Sequence, residues 1–87
     1  MRYRAPEAAA LISTDLAPFT ALFDRRSGIT HILASPAPEI LAALTEPMTI
    51  DMLLAVLARE YDLADPDPAA LAVRLDELVA SGLVATT

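Results

Sequence analysis

The sequence predicts an α+β fold: a three-stranded antiparallel β-sheet followed by three α-helices, in one domain spanning residues 1–87. Three observations lead there. Before Ala34, apolar residues alternate with a period of two, the signature of strands with two distinct faces. After Ala34, apolar residues recur at spacings of three and four, the signature of amphipathic helices. Turn and cap residues stand where one element must give way to the next.

The N-terminal segment Tyr3 to Pro6 reads as an extended arm. Ala9 to Thr14 follows as the first strand, β-branched at Ile12 and Thr14, although Ala8 to Leu11 fits a helix as well. Asp15-Leu16-Ala17-Pro18 is the expected turn. Phe19 to Phe23 is the second strand, with Phe19, Ala21 and Phe23 on one face and Thr20 and Leu22 on the other. Asp24-Arg25-Arg26-Ser27-Gly28 is a polar hairpin loop, its Gly free to take a positive φ. Ile29 to Leu33 returns as the third strand. Ile29, His31 and Leu33 share one face; Thr30 and Ile32 share the other.

Ser35-Pro36 suits a helix start, with Ser as N-cap and Pro in the first turn. Ile40, Leu41 and Leu44 then recur at helical spacing, and Glu46-Pro47 ends the helix. Thr49 is the expected N-cap of the second helix, with Asp51 in its first turn. Leu53, Val56, Leu57 and Tyr61 form its buried stripe, so Tyr61 reads as a core ring. Asp62 to Asp65 connects to the third helix. Asp67-Pro68 is a strong start signal for it, and Leu71, Leu75, Leu78 and Val79 form its apolar stripe. Ser81-Gly82 stops this helix, and Leu83-Val84 turns back onto the core.

Composition narrows the function. Hydrophobic residues make up 55% of the chain, above the usual share, which leaves apolar surface for a partner. There is no cysteine, so neither a disulfide nor a thiolate metal site forms, and a reducing cytoplasm is the expected location. The N-terminus lacks the basic-then-apolar pattern of a secretory signal, and no run reaches the length of a membrane span. Net charge is −6, and all 6 basic residues are Arg. That balance argues against a nucleic-acid backbone as partner.

Candidate chemistry is sparse. His31 is the single histidine, with no carboxylate beside it to complete a metal site. A Ser–His–Asp set can be written from Ser27 or Ser35, His31 and Asp24, but no strained nucleophile turn or oxyanion hole accompanies it. The two glycines, Gly28 and Gly82, are too few for a phosphate loop. Asp65-Pro66-Asp67-Pro68 lacks the spaced ligands of a calcium loop and reads as capping. Arg25-Arg26 reads as a solvated hairpin tip. The expectation is a binding module: no enzyme, no cofactor, no metal.

The order of elements and their apolar residues carry a resemblance. Leu33, Ala37, Ile40, Leu41 and Leu44 are followed by Leu53, Leu57 and Tyr61, then by Leu71, Leu75, Leu78 and Gly82-Leu83-Val84. Over about residues 8–85 this resembles the PqqD-like family, the recognition elements for precursors of ribosomally made peptides, which are winged-helix-like modules. Ser27 to Leu33 and Ser35 to Leu41 resemble the branch found beside an HPr-kinase-related protein. Ala34 stands where many members carry Asn, and Pro36 where Thr is usual.

The resemblance implies a mechanism. A leader peptide adds as an extra antiparallel strand along Ile29, Thr30, His31, Ile32 and Leu33, beside Leu71, Arg74, Leu75 and Leu78 of the third helix. The implied partners are that precursor peptide and a modifying enzyme, with an HPr-kinase-related one favoured by the branch. Free N–H and C=O groups at a sheet edge suit such capture on physical grounds. Two other readings stand beside it. One is a winged-helix DNA-binding module with Asp67 to Ala80 as recognition helix. The other is a structural subunit of an enzyme complex, or a homodimer.

Overall fold

A computed structural model gives the fold and describes residues 1–61 and 67–87. Strands β1 (Tyr3–Arg4), β2 (Leu11–Leu16), β3 (Phe19–Asp24) and β4 (Ile29–Ala34) precede helices α1 (Ala37–Ala43), α2 (Ile50–Tyr61) and α3 (Pro68–Ala80), and β5 (Ala85–Thr86) follows. β2, β3 and β4 form the expected antiparallel sheet in that order, with β3 central. The expected connection at Asp62 to Asp65 lies outside the described residues.

The first strand sits two residues later than the sequence suggests. Ala8–Ala10 is a short 3-10 turn, and β2 runs through Asp15 and Leu16. The turn therefore shrinks to Ala17-Pro18, closed by Asp15 Oδ1 accepting the Ala17 N–H at 3.1 Å. Asp15 and Leu16 stay extended because they pair with Thr20 and Phe19. Cross-strand pairing outweighs the turn preference of a lone Asp.

The hairpin tip is also more than a solvated loop. Asp24 belongs to β3 and is buried. The Arg26 guanidinium grips its carboxylate through Nε at 3.0 Å and Nη2 at 2.8 Å, and reaches the Gly82 carbonyl beyond α3 at 3.2 Å. Arg26 thus clasps the β3–β4 tip to the end of α3. Gly28 completes the tip with φ of 75°, a conformation that costs a residue with a Cβ.

The helix starts differ in their caps. Pro36, not Ser35, occupies the N-cap of α1, and no side chain caps it; Ser35 Oγ instead donates to the Glu39 carboxylate. The helix ends at Ala43, short of Glu46-Pro47, because Met48 is drawn away to pair with Tyr3. Thr49 Oγ1 accepts the Met52 N–H at 3.2 Å, capping α2. Asp67 Oδ1 accepts the Ala69 N–H at 3.0 Å, capping α3. Asp67→Ala is expected to cost about 1 kcal/mol, read as a melting temperature about 4–8 °C lower in a domain of this size. An unchanged melting curve would show that the cap contributes nothing.

The end of α3 explains the buried tail. Gly82 takes φ of 85°. Its N–H donates to the Val79 carbonyl and the Leu83 N–H to the Leu78 carbonyl, each at 3.0 Å. This Schellman arrangement reverses the chain and drives Leu83 inward. Leu83 and Val84 are buried, as the sequence suggests.

The core lies where the three helices, the inner sheet face and this tail meet. Its largest fully buried side chains are Ile40, Leu53, Leu75 and Leu83, one from each helix and one from the tail. The sheet contributes Leu22, with Leu11 and Leu33 partly covered. Tyr61 is 43% exposed. It ends α2, where the stripe that buries Leu53 and Leu57 runs past the packed core.

A second small sheet had no sequence signal. β1 pairs antiparallel with β5, Tyr3 opposite Thr86 and Arg4 opposite Ala85. On its other side Tyr3 exchanges backbone hydrogen bonds with Met48 at 2.7 and 2.9 Å. The arm that the sequence predicts is extended, and its ring is buried in the core.

Candidate functional site

The backbone of β4 makes one long side of the site. β3 is hydrogen-bonded on both flanks, so β4 is an edge of the sheet. The hydrogen-bonding phase follows from one contact: the Arg25 N–H donates to Ala10, on the β2 side, at 2.8 Å. Backbone groups of an antiparallel strand point alternately to its two neighbours. The N–H groups of Thr20, Leu22 and Asp24 therefore face β4, where their partners are Leu33, His31 and Ile29. Thr30, Ile32 and Ala34 direct their N–H and C=O groups at the other edge, where no strand pairs with them among the described residues.

The side chains follow the pleat. His31 and Leu33 point toward the helical side and are half-buried, whereas Ile32 points away and is 60% exposed. Beside the strand, a groove of about 400 Å³ runs between the segment His31 to Ala37 and one face of α3. The α3 face supplies Arg74, Glu77 and Leu78, and Ser81 closes the end. These residues recur at three- and four-residue spacing, so one helix face carries them all.

The groove has an apolar floor and a charged wall. Leu78 is buried beneath it and Leu33 half-buried beside it. Arg74 Nη1 donates to Glu77 at 3.0 and 3.2 Å across an exposed surface, a pairing that water and salt weaken. Both side chains are half-exposed or more. The Arg26–Gly82 contact ties the hairpin tip to the end of α3.

Of the residues singled out from the sequence, His31, Leu33, Arg74 and Leu78 line this one groove, and Ile32 borders it with its side chain turned to the outer face of the sheet. Ile29 and Thr30 lie on the same strand, before the groove begins. Leu71 and Leu75 are buried in the core and do not line it. Glu77, Ser81 and Ala34 were missed, although simple spacing points to them. Glu77 and Ser81 share the helix face of Arg74, and Ala34 continues the alternation of Thr30 and Ile32.

The hydrolytic set drawn from the sequence has other partners. Asp24 is committed to Arg26, Ser27 Oγ accepts the Ile29 N–H at 3.2 Å, and Ser35 bonds Glu39. Among the described residues no three metal-ligating side chains cluster, and no helix is long and apolar enough to cross a membrane. A larger cavity, about 880 Å³, lies under the inner face of β2 and β3, between the Arg4 to Ala8 segment and α1 with its following turn. It shares Leu33 with the groove but none of the α3 residues. Comparison with protein-family models, with curated proteins and with solved structures finds no match to this chain.

Proposed function

We propose that this chain is a peptide-recognition module. It takes up an extended leader segment of a ribosomally made precursor peptide and presents it to a modifying enzyme. The observation that carries this reading is the open edge of β4 lying beside the Arg74–Glu77–Leu78 groove. Edge pairing supplies hydrogen bonds that tolerate many sequences, and alternate side chains of the added strand read the groove. Leu33 and Leu78 suit an apolar anchor. Arg74 and Glu77 suit a charged or polar neighbour. The peptide orders on binding, which holds affinity to a moderate, micromolar range.

DNA binding has less support. The one Arg of α3 is paired with Glu77, Asp76 stands next to it, and the chain carries net charge −6. A duplex backbone needs clustered cations.

The test uses a synthetic peptide from a short reading frame beside this gene. Amides of Thr30, Ile32 and Ala34 are expected to shift in NMR titration, together with side chains of Arg74 and Leu78. Thr30→Pro removes a donor from the open edge while leaving the β3–β4 hydrogen bonds in place, a position where a strand tolerates Pro. It is expected to weaken binding at least about tenfold, from one lost hydrogen bond and the ring's clash with the added strand. Arg59→Ala on exposed α2 is expected to change nothing. Normal binding by folded Thr30→Pro, or shifts confined to residues 50–60, would overturn the reading.

A further inference from the structure

The outer face of the sheet is the more apolar of its two faces. Ile12, Leu16, Phe19, Phe23 and Ile32 all point away from the helices and are between 36% and 60% exposed. By the same register the inner face alternates Leu11, Leu22, Ile29 and Leu33 with Ser13, Asp15, Thr20, Asp24 and His31. Leu22, Leu11 and Leu33 pack that inner face on the core, and the other face of such a sheet is ordinarily polar, so a second apolar face turned outward is unusual. Among the described residues of the outer face, Thr14 and Thr30 are the polar ones, and no charged side chain interrupts it.

The size of the patch decides what it can do. At about 200 Å² for a large apolar side chain, the exposed fractions leave about 500 Å² of apolar surface on five residues alone. Scattered exposed apolar side chains need no explanation, but a contiguous patch of this size is a contact surface. Two copies facing one another would bury about 1,000 Å² from these side chains, and more from Ala21, Ala34 and the two threonines. That clears the roughly 1,000 Å² total that a specific interface requires.

The relief of the patch suits its own copy. Ala21 sits at the centre of β3, with Phe19 and Phe23 on either side of it along the strand. Across the sheet it lies between Thr14 and Ile32. The small centre is a hollow bordered by large side chains, which a ring from an opposing sheet can fill at the ordinary ten-ångström spacing of packed sheets. Because the patch carries no charge, two acidic chains can meet there without opposing like charges at the contact.

We propose that the outer face of β2, β3 and β4 is the interface of a symmetric homodimer, a two-layer sandwich formed by two copies of this chain. The contact is isologous, each copy offering the same patch. It is separate from the open edge of β4 and does not depend on any peptide binding there.

The test is the molar mass of the full chain without peptide, by light scattering and sedimentation across the micromolar range. The expected mass is twice 9.2 kDa, with dissociation on dilution. Added salt is expected to tighten the dimer, because it screens repulsion between two chains of net charge −6. Ala21→Glu places a charge at the centre of the patch and is expected to weaken association at least tenfold. Ile32→Thr, which keeps strand preference, is expected to do the same to a smaller extent, and it serves should Ala21→Glu fail to fold. Circular dichroism reports that the variants are folded. A monomer at every concentration, a polydisperse aggregate, or a dimer undiminished in the folded variants would overturn the proposal.

Discussion

Leu75→Ala is expected to remove a large part of the domain's stability. Leu75 lies in the middle of α3 and has no exposed surface. Truncating such a side chain costs about 2–5 kcal/mol, through lost transfer energy and the cavity left behind. A domain of this length has on the order of 4–13 kcal/mol in total. Urea unfolding should therefore shift to a much lower midpoint with an unchanged slope. Leu75→Met conserves volume and should cost less than about 1.5 kcal/mol. A midpoint unmoved by Leu75→Ala would mean that α3 is not packed as described. The functional consequence runs through the same helix. Arg74 and Leu78, on either side of Leu75, line the groove, so a loosened α3 would also blur that wall.

Arg26→Ala is expected to destabilise the protein far more than Arg25→Ala. Arg25 makes one long, exposed contact to the Ala9 carbonyl at 3.4 Å. Arg26 neutralises Asp24, whose side chain is only 5% exposed. Without Arg26 that carboxylate keeps a single backbone donor, the N–H of residue 26 at 2.9 Å, and a buried charge without its partner is costly. Arg26→Lys should not restore stability, since an ammonium cannot reproduce the two parallel N–H contacts. The melting temperature is the readout. Equal, small shifts for both alanine variants would show that the clasp is ornamental.

The same pair sets a pH dependence. The hydrogen bonds from the Arg26 side chain hold the Asp24 carboxyl below its ordinary value of 3.8, against the opposing effect of burial, with the residue 26 N–H and the charges of Arg26 and His31 adding to the lowering. A depressed acid in the folded state means that the unfolded chain binds the proton first. The stability it contributes is complete above its ordinary value and is lost as pH falls through the lower folded-state value. Unfolding midpoints measured from pH 5 downward should fall in the wild type. In Asp24→Asn, whose baseline stability is lower, that part of the slope should be missing.

Much of this architecture is legible in the residues because it is local. Period-two alternation marks β3 and β4, period-3.6 stripes mark α2 and α3, and Thr49, Asp67 and Gly82 mark their ends through hydrogen bonds spanning a few positions. Each of these signals involves neighbours in the chain, so each survives without knowledge of the rest. The edge position of β4 also follows from the order of strands. Part of the candidate site was legible for the same reason: Arg74 and Leu78 on a helix, His31 to Leu33 on a strand.

What failed to show in the residues is what distant segments do to one another. Tyr3 finds Thr86 and Met48 only after the chain has closed, and no local pattern in a two-residue strand announces that. Arg25 and Arg26 look alike in sequence, yet only Arg26 reaches both Asp24 and Gly82. Leu75 looks like a groove residue and is sealed in the core, because helix rotation about its axis is set by packing against α2 and the tail. Local residue patterns specify β3, β4, the three helices, most of their caps and the alternation of the sheet's two faces. Tertiary structure alone decided which of those faces meets the helices. Alternation says that Phe19 and Leu22 point in opposite directions, but the direction of the core depends on where α1 to α3 pack, and they cover the side of Leu22.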